Sequence, residues 1–176
     1  MKRPTSGLTL VVALISLCQL KCVDNESPTD MPAAPRLDDF LSEHNRIRGE
    51  LGLDPLAWSE EIAQYSLEWA DELARRGCPL EHRPDSGAFQ QKYGENLAWN
   101  KGYQSSGDVV TRLWESEKAD YDYATGVCTA VCGHYTQVVW RTSQELGCAR
   151  STCGTDEEVW VCNYNPPGNY VGEKPY

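Results

Sequence analysis

The densest concentration of reactive chemistry in this chain is Cys132-Gly-His-Tyr-Thr-Gln-Val-Val-Trp-Arg-Thr-Ser143, followed by Cys148, Cys153 and Cys162. It sets His134 at the mouth of a β-branched, aromatic run and fences it with cysteines. An imidazole in that setting serves as a metal ligand, a base or a structural hydrogen-bonding group. Three more ionisable residues stand out upstream. His82 lies in an irregular, Pro- and Gly-containing segment, Cys78 to Lys92. Glu95 is embedded in Tyr93-Gly-Glu-Asn-Leu-Ala-Trp99, beside a run that must pack, and is expected to be paired inside. Glu117 follows Val110, Leu113 and Trp114 at helical spacing, which puts a carboxylate on an inward stripe. A buried carboxylate needs a partner, a metal or a wet cavity, unless the helix frays and turns it outward. No Gly-x-Ser-x-Gly or His-Glu-x-x-His motif is present.

Eight cysteines occur. Setting aside Cys18 and Cys22, which fall in the leading segment, leaves Cys78, Cys128, Cys132, Cys148, Cys153 and Cys162. In a secreted chain that number implies three disulfides, with about fifteen pairings open to sequence alone. The spacing Cys128-x3-Cys132-x-His134 also suits zinc, but in an oxidising compartment thiols pair before they bind metal.

The secretory assignment comes from the N-terminus. Lys2 and Arg3 precede an apolar run from Leu8 to Leu17, too short to span a membrane and typical of a signal peptide, residues 1–23 in approximate extent. Leu17 and Lys21 stand where a lipid-anchored cysteine would want a small residue before it. Residues 24–35 read as a flexible, Pro-rich leader carrying a glycosylation sequon at Asn25. The chain is acidic, with 16 basic and 26 acidic residues and a net charge of −10. That balance argues against nucleic acid and anionic membranes as partners. It leaves uncharged lipids and sterols open, since burial rather than charge would hold them.

These residues need a scaffold, and at 176 residues one domain is expected. A helix from Arg36 turns Leu37, Leu41, His44 and Ile47 inward and stops at Gly49 and Gly52; His44 reads as a core histidine bonded to backbone. A second helix has Ser59 as its cap, Ile62, Ser66, Trp69 and Leu73 as its buried stripe, and Gly77 as its terminator. A third, capped by Asp108, carries Val109, Val110, Leu113, Trp114 and Glu117. The stretches 135–141, 146–152 and 158–164 read as strands joined by hairpins. Residues 165–176 hold too many breakers for either element and must lie as an extended strap. Helices first and a hairpin-linked sheet afterwards give an α+β, α-β-α layered domain.

From Arg36 to the last residue the chain resembles the CAP superfamily of cysteine-rich secretory, antigen 5 and pathogenesis-related 1 proteins. The matches are His44-Asn-x-x-Arg48, Leu56-x-Trp58, Tyr93-Gly-Glu-Asn-Leu-Ala98, Trp114-x-x-Glu117-x-x-x-Tyr121, Gly133-His-Tyr-Thr-Gln-Val-Val-Trp140, Gly147-Cys148, and Cys162-Asn-Tyr-x-Pro166 through to Pro-Tyr176. The look is that of the short plant pathogenesis-related 1 branch, and the CAP domain would cover 36–176.

The resemblance implies a three-layer α-β-α sandwich with a central antiparallel sheet, and a cleft lined by His82, Glu95, Glu117 and His134. It implies disulfides Cys78–Cys153, Cys128–Cys132 and Cys148–Cys162. It also implies a secreted, monomeric, non-catalytic protein of host defence that binds a sterol or fatty acid, with Tyr121 and Tyr123 as candidate lipid contacts. An extracellular protein partner, release of residues 166–176 as a signalling peptide, and a hydrolase using the His/Glu cleft are the alternatives. No cofactor is required. The four cleft residues are equally consistent with a zinc or magnesium site and with a self-satisfied hydrogen-bond network.

Overall fold

The computed structural model describes residues 38–102 and 105–176; the signal segment 1–23, the leader 24–35 and Asn25 lie outside the described residues. In chain order the elements are α1 (Asp38–Glu50), β1 (Ala57–Trp58), α2 (Glu60–Arg75), β2 (Gly94–Lys101), α3 (Gly107–Ser116), a 3-10 turn (Glu117–Asp120), β3 (Tyr121–Asp122), β4 (Val127–Cys128), α4 (Gly133–Val138), β5 (Glu145–Cys153) and β6 (Glu157–Asn165). No helix among the described residues is long and apolar enough to cross a membrane.

The sheet order is β1-β5-β6-β2. β5, β6 and β2 run antiparallel in full register, and β1 adds a short parallel pair at Ala57↔Glu145 and Trp58↔Leu146. Both faces of the sheet are covered, so successive strand residues serve different cores. On one face Trp160, Cys162 and Tyr164 of β6 pack with Phe40 and Ile47 of α1, Trp114 of α3 and Tyr135 and Val138 of α4. On the other, Val159 and Val161 pack with Trp69, Ala70 and Leu73 of α2. This is the three-layer α-β-α arrangement.

α2 forms where the sequence calls for it. Ser59 is its N-cap and accepts from the Ile62 amide, Glu60 and Glu61 sit in its first turn and Arg75 in its last, matching the helix dipole. Its stripe Ile62, Ser66, Trp69 and Leu73 is buried. The helix lies directly on β5: a Cβ at Gly147 would sit 2.2 Å from the Ala63 backbone nitrogen, so only glycine allows this approach.

Two local expectations are corrected, and one strand forms where none was read. Residues 135–138 are helical, within α4, not a strand. Tyr135, Val138 and Val139 fall at i, i+3, i+4 and are all fully buried, and a carboxylate described below caps the helix start, which overrides β-branched propensity. In α3 the inward residues are Val110, Thr111 and Trp114; Leu113 and Val109 are exposed, and Ser106 rather than Asp108 holds the N-cap position. Finally, β2 forms across Gly94-Glu-Asn, whose composition carries no strand signal. Pairing with β6 fixes it, and Gly94 is required because a Cβ there would meet Gln137 Oε1 at 2.3 Å.

Disulfides join Cys78 to Cys153, Cys128 to Cys132, and Cys148 to Cys162. The first ties the end of α2 to β5, and the third bridges the opposed β5–β6 pair. Beyond β6 the chain has no helix or strand but is held at intervals. Pro166 C=O accepts from Ser143 Oγ (2.8 Å), the Gly168 amide donates to Gln137 Oε1 (3.0 Å), and Pro175 C=O accepts from the Arg141 amide (2.7 Å).

Candidate functional site: two histidine–carboxylate pairs and an aromatic cavity

Glu117 is the residue immediately after α3, and His134 is the second residue of α4. Glu117 Oε1 accepts from His134 Nδ1 at 2.6 Å, and Oε2 accepts from the backbone amides of His134 (2.9 Å) and Tyr135 (3.2 Å). The carboxylate on the inward stripe thus finds its partner in the N-terminus of the next helix, where unsatisfied amides favour an anion. The His134 ring also stacks on Trp114, with centroids 6.1 Å apart and planes 14° from parallel. Trp114 is fixed in turn by its indole donating to Leu97 C=O.

Glu95 is the second residue of β2 and its side chain is fully buried. Its Oε1 accepts from His82 Nδ1 (2.9 Å) and from the Arg83 amide (3.0 Å); its Oε2 accepts from Asn163 Nδ2 (3.3 Å), the residue opposite it in β6. His82 remains half exposed on the loop between α2 and β2. Arg83, whose side chain is 1% exposed, lies over the Tyr65 ring at 3.7 Å, pairs with Glu68, and brings Nε within 4.0 Å of Glu95 Oε2. Among the described residues no protein hydrogen-bond partner is found for that Nε.

Asn96 joins this strand to the second pair. Its Nδ2 donates to His134 C=O (3.0 Å) and to the Tyr164 hydroxyl (3.1 Å). Tyr164 O–H donates to His44 Nε2 (2.8 Å), while His44 Nδ1–H donates to Phe40 C=O (2.8 Å). His44 is therefore a neutral, fully buried structural histidine; burial lowers its pKa to about 4, outweighing the opposing Phe40 carbonyl. Adjacent strand residues point to opposite faces, so Glu95 faces the α2 layer and Asn96 the α4 layer.

The tetrad is thus present as two self-satisfied pairs. In each, the carboxylate is spent on an imidazole Nδ1 and on amide N–H groups, from backbone at Glu117 and from Arg83 and the Asn163 side chain at Glu95, which leaves Nε2 as the histidine ring nitrogen turned away from it. Among the described residues no group of three or more His, Cys, Asp or Glu is placed to hold a metal ion. The four residues as arranged do not fit a four-ligand zinc or magnesium centre.

Tyr121 and Tyr123 lie beyond the 3-10 turn. Tyr121 is half-buried against Tyr135, its hydroxyl is buried, and no protein hydrogen-bond partner is found for it among the described residues. Tyr123 is exposed, stacks on Tyr176 at 4.9 Å, and has Lys174 above its ring. Between α4, the β3–β4 hairpin and the C-terminal strap is a cavity of about 280 Å³ whose walls include Tyr121, Cys128, Trp140 and Tyr170. Exposed Val127, Val131 and Val171 adjoin these lining segments in sequence.

Sequence reasoning missed Asn96, Asn163 and Arg83. The first belongs to a Gly-Glu-Asn run whose unusual polarity beside Leu-Ala-Trp was the available signal. Asn163 stands within the Cys162-Asn-Tyr motif, which marks the position without giving its role, since that comes from register across from β2. For Arg83 there was no signal, because its role comes from loop packing onto α2.

The family described as CAP, cysteine-rich secretory protein family, matches residues 41–164. A pathogenesis-related protein 1 of Arabidopsis thaliana is 44% identical over 169 residues, covering 96% of this chain and 94% of that protein. Pathogenesis-related protein 1A of Nicotiana tabacum is 43% identical over 140 residues, covering 78% of this chain and 79% of that protein. Among solved structures, BmVAL-1 superposes with a TM-score of 0.66 at 22% identity, covering 86% of each chain. The venom allergen-like protein 4 of Schistosoma mansoni gives 0.62 at 23%, covering 83% of this chain and 95% of its own. These two show the shared fold.

Proposed function

This chain belongs to the CAP family of cysteine-rich secretory proteins, alongside plant pathogenesis-related 1 proteins, and we propose that it is a secreted, non-catalytic defence protein that binds a sterol or another small lipid at the aromatic cavity. The observation that carries the reading is the cavity itself, whose wall brings Tyr121, Trp140 and Tyr170 together between α4, the β3–β4 hairpin and the strap. A ligand with an apolar body and few polar groups suits such a wall. At about 280 Å³ the cavity is at the small end for a drug-sized ligand, so a sterol would be only partly enclosed. The exposed Tyr123, Val127, Val131 and Tyr170 support contact with the remainder.

The acidic chain favours capture of an uncharged lipid over charge-driven attack on a membrane. Secretion is supported by the N-terminal signal pattern and by three disulfides. In this reading the two His–Glu pairs are structural: the Glu117 carboxylate anchors the start of α4 and the Glu95 carboxylate anchors the loop at Arg83.

Equilibrium binding of cholesterol and ergosterol to the secreted protein tests the proposal. Saturable binding is expected, reduced by Tyr121→Ala and more by Tyr123→Ala. Absence of saturable binding, or binding unchanged in both variants, overturns it.

A further inference from the structure

The sheet has one unfinished edge. β5 is nine residues long, but β1 pairs only with Glu145 and Leu146. Among the described residues no strand pairs with that side of β5 beyond Leu146. Leu146 C=O points outward, since it accepts from the Ser59 amide at 2.9 Å. In an antiparallel ladder alternate residues turn both backbone groups to the same side. Cys148, Arg150 and Thr152 therefore turn their N–H and C=O groups to that side; Cys148 is fully buried there, and Arg150 and Thr152 carry the open edge.

This edge runs beside a groove. α2 lies along it, and Glu60, Gln64, Leu67 and Asp71 recur at helical spacing on the flank next to β5. Asp71 is placed there by accepting from Ser151 Oγ at 2.5 Å, and the approach of α2 at Gly147 closes the other end. A cavity of about 230 Å³ opens between Ala63, Leu67, Ala149 and the backbone of Cys148 and Arg150. Its centre is apolar, Glu60 lines one end, and Asp71 lies farther along the same flank of α2, four residues beyond Leu67. Their hydrogen-bond partners are neutral, the Trp58 indole and the Ser151 hydroxyl. On the opposite face Arg150 pairs with Glu158 and lies over Trp160.

We propose that the β5 edge from Arg150 to Thr152 is a docking site for an extended, basic polypeptide segment, which adds as a fifth strand. Main-chain hydrogen bonds to Arg150 and Thr152 supply affinity that does not depend on sequence, and the flank of α2 supplies selection. Residues facing α2 follow a basic–x–apolar–x–basic pattern. The apolar residue enters the space beside Ala63 and Leu67, and the two cations reach Glu60 and Asp71. The intervening residues face Arg150, which disfavours further cations there. The net charge of −10 steers such a segment in. This site is separate from the aromatic cavity and does not depend on the lipid reading.

Nitrogen-15 NMR titration of the whole secreted protein with the peptide acetyl-Thr-Thr-Lys-Thr-Val-Thr-Lys-Thr-Thr-amide is the test. Saturable shifts and slowed amide exchange at Arg150 and Thr152 are expected. The same peptide with both lysines replaced by glutamate should bind at least ten-fold more weakly. Asp71→Asn keeps the bond to Ser151 and should weaken binding about three-fold, one exposed ion pair's worth. Thr152→Pro removes an outward amide that no strand uses, so the fold should persist while the shifts vanish. Equal binding of the acidic peptide, or shifts confined to other residues, overturns the proposal. So does concentration-dependent dimerisation through these amides without peptide, which would make a second copy the occupant. Protection of these amides in the peptide-free protein, lost on removing residues 24–35, would assign the edge to the chain's own leader and equally overturn it.

Discussion

Glu117 holds His134 twice. One carboxylate oxygen accepts from the ring Nδ1 at 2.6 Å and the other from the same residue's backbone amide at 2.9 Å. A single side chain thereby sets the histidine's tautomer, its ring orientation and the start of α4. The cleft histidine and the helix that carries it are consequently one unit, tied to the end of α3.

Glu117→Gln should uncouple that unit. Glutamine retains one acceptor but turns an amide donor toward either the imidazole N–H or the helix amides. The expected loss is about 1–2 kcal/mol in chemical denaturation, with faster hydrogen exchange at His134 and Tyr135. Unchanged stability together with unchanged exchange would contradict the capping role.

Acid stability should bear the mark of His44. Its folded pKa, about 4, lies below the 6.5 of a free histidine because the ring is fully buried. The unfolded chain therefore binds a proton that the folded chain refuses. Stability from this group is complete above pH 6.5 and is lost as pH falls toward 4, by roughly 3 kcal/mol in total. Denaturant midpoints measured between pH 7 and 4 should decline accordingly, and the part of the decline absent from a folded His44→Gln variant measures this contribution.

Gly147→Ala tests the seat of α2. The added methyl would collide with backbone of Ile62 and Ala63, which has no rotamer to yield. A loss of about 3 kcal/mol or more is expected, seen as a lowered Tm or failure to accumulate folded protein. Normal stability would mean that α2 slides freely on the sheet.

Tyr121→Phe tests the buried phenol. Removing a hydroxyl for which no protein partner is found among the described residues should leave stability within about 0.5 kcal/mol of the parent, or raise it. A loss of more than about 1 kcal/mol in chemical denaturation would show that the hydroxyl has a partner in the fold.

Release of residues 166–176 should require the strap to open. Asn165 C=O accepts from the Gln144 amide, Asn165 Nδ2 donates to Glu145, and Pro166 C=O accepts from Ser143. The bond between Asn165 and Pro166 is thus pinned on both sides. Limited proteolysis of the native protein followed by mass spectrometry should leave this bond intact until denaturant is added. Ready cleavage under native conditions would show that the strap opens on its own.

Local patterns in the sequence determined much of this protein. Ser59, the acidic first turn, the stripe from Ile62 to Leu73 and Gly77 specify α2 before any tertiary contact, because caps, dipole and period all agree. The hairpin from 145 to 165 is equally legible, and His44 reads as a core histidine from its place on an inward face. The cleft residues were visible as types, a carboxylate on a buried stripe and another inside a packing run, but their partners were not. His82 meets Glu95, and His134 meets Glu117, across thirteen and seventeen positions through loops that carry no periodic signal.

Tertiary structure alone decided the state of residues 135–138. A Tyr-Thr-Gln-Val-Val run suits a strand by propensity and a helix by burial, and the Glu117 carboxylate at its first amides settles it as helix. It also decided β2, whose Gly-Glu-Asn start becomes a strand only because β6 offers it a complete ladder. The open edge of β5 likewise exists only in the assembled sheet, since nothing in the sequence of β5 says which of its neighbours stops short. Each of these outcomes rests on hydrogen bonds and burial between segments far apart in the chain, and no window of local sequence contains both partners.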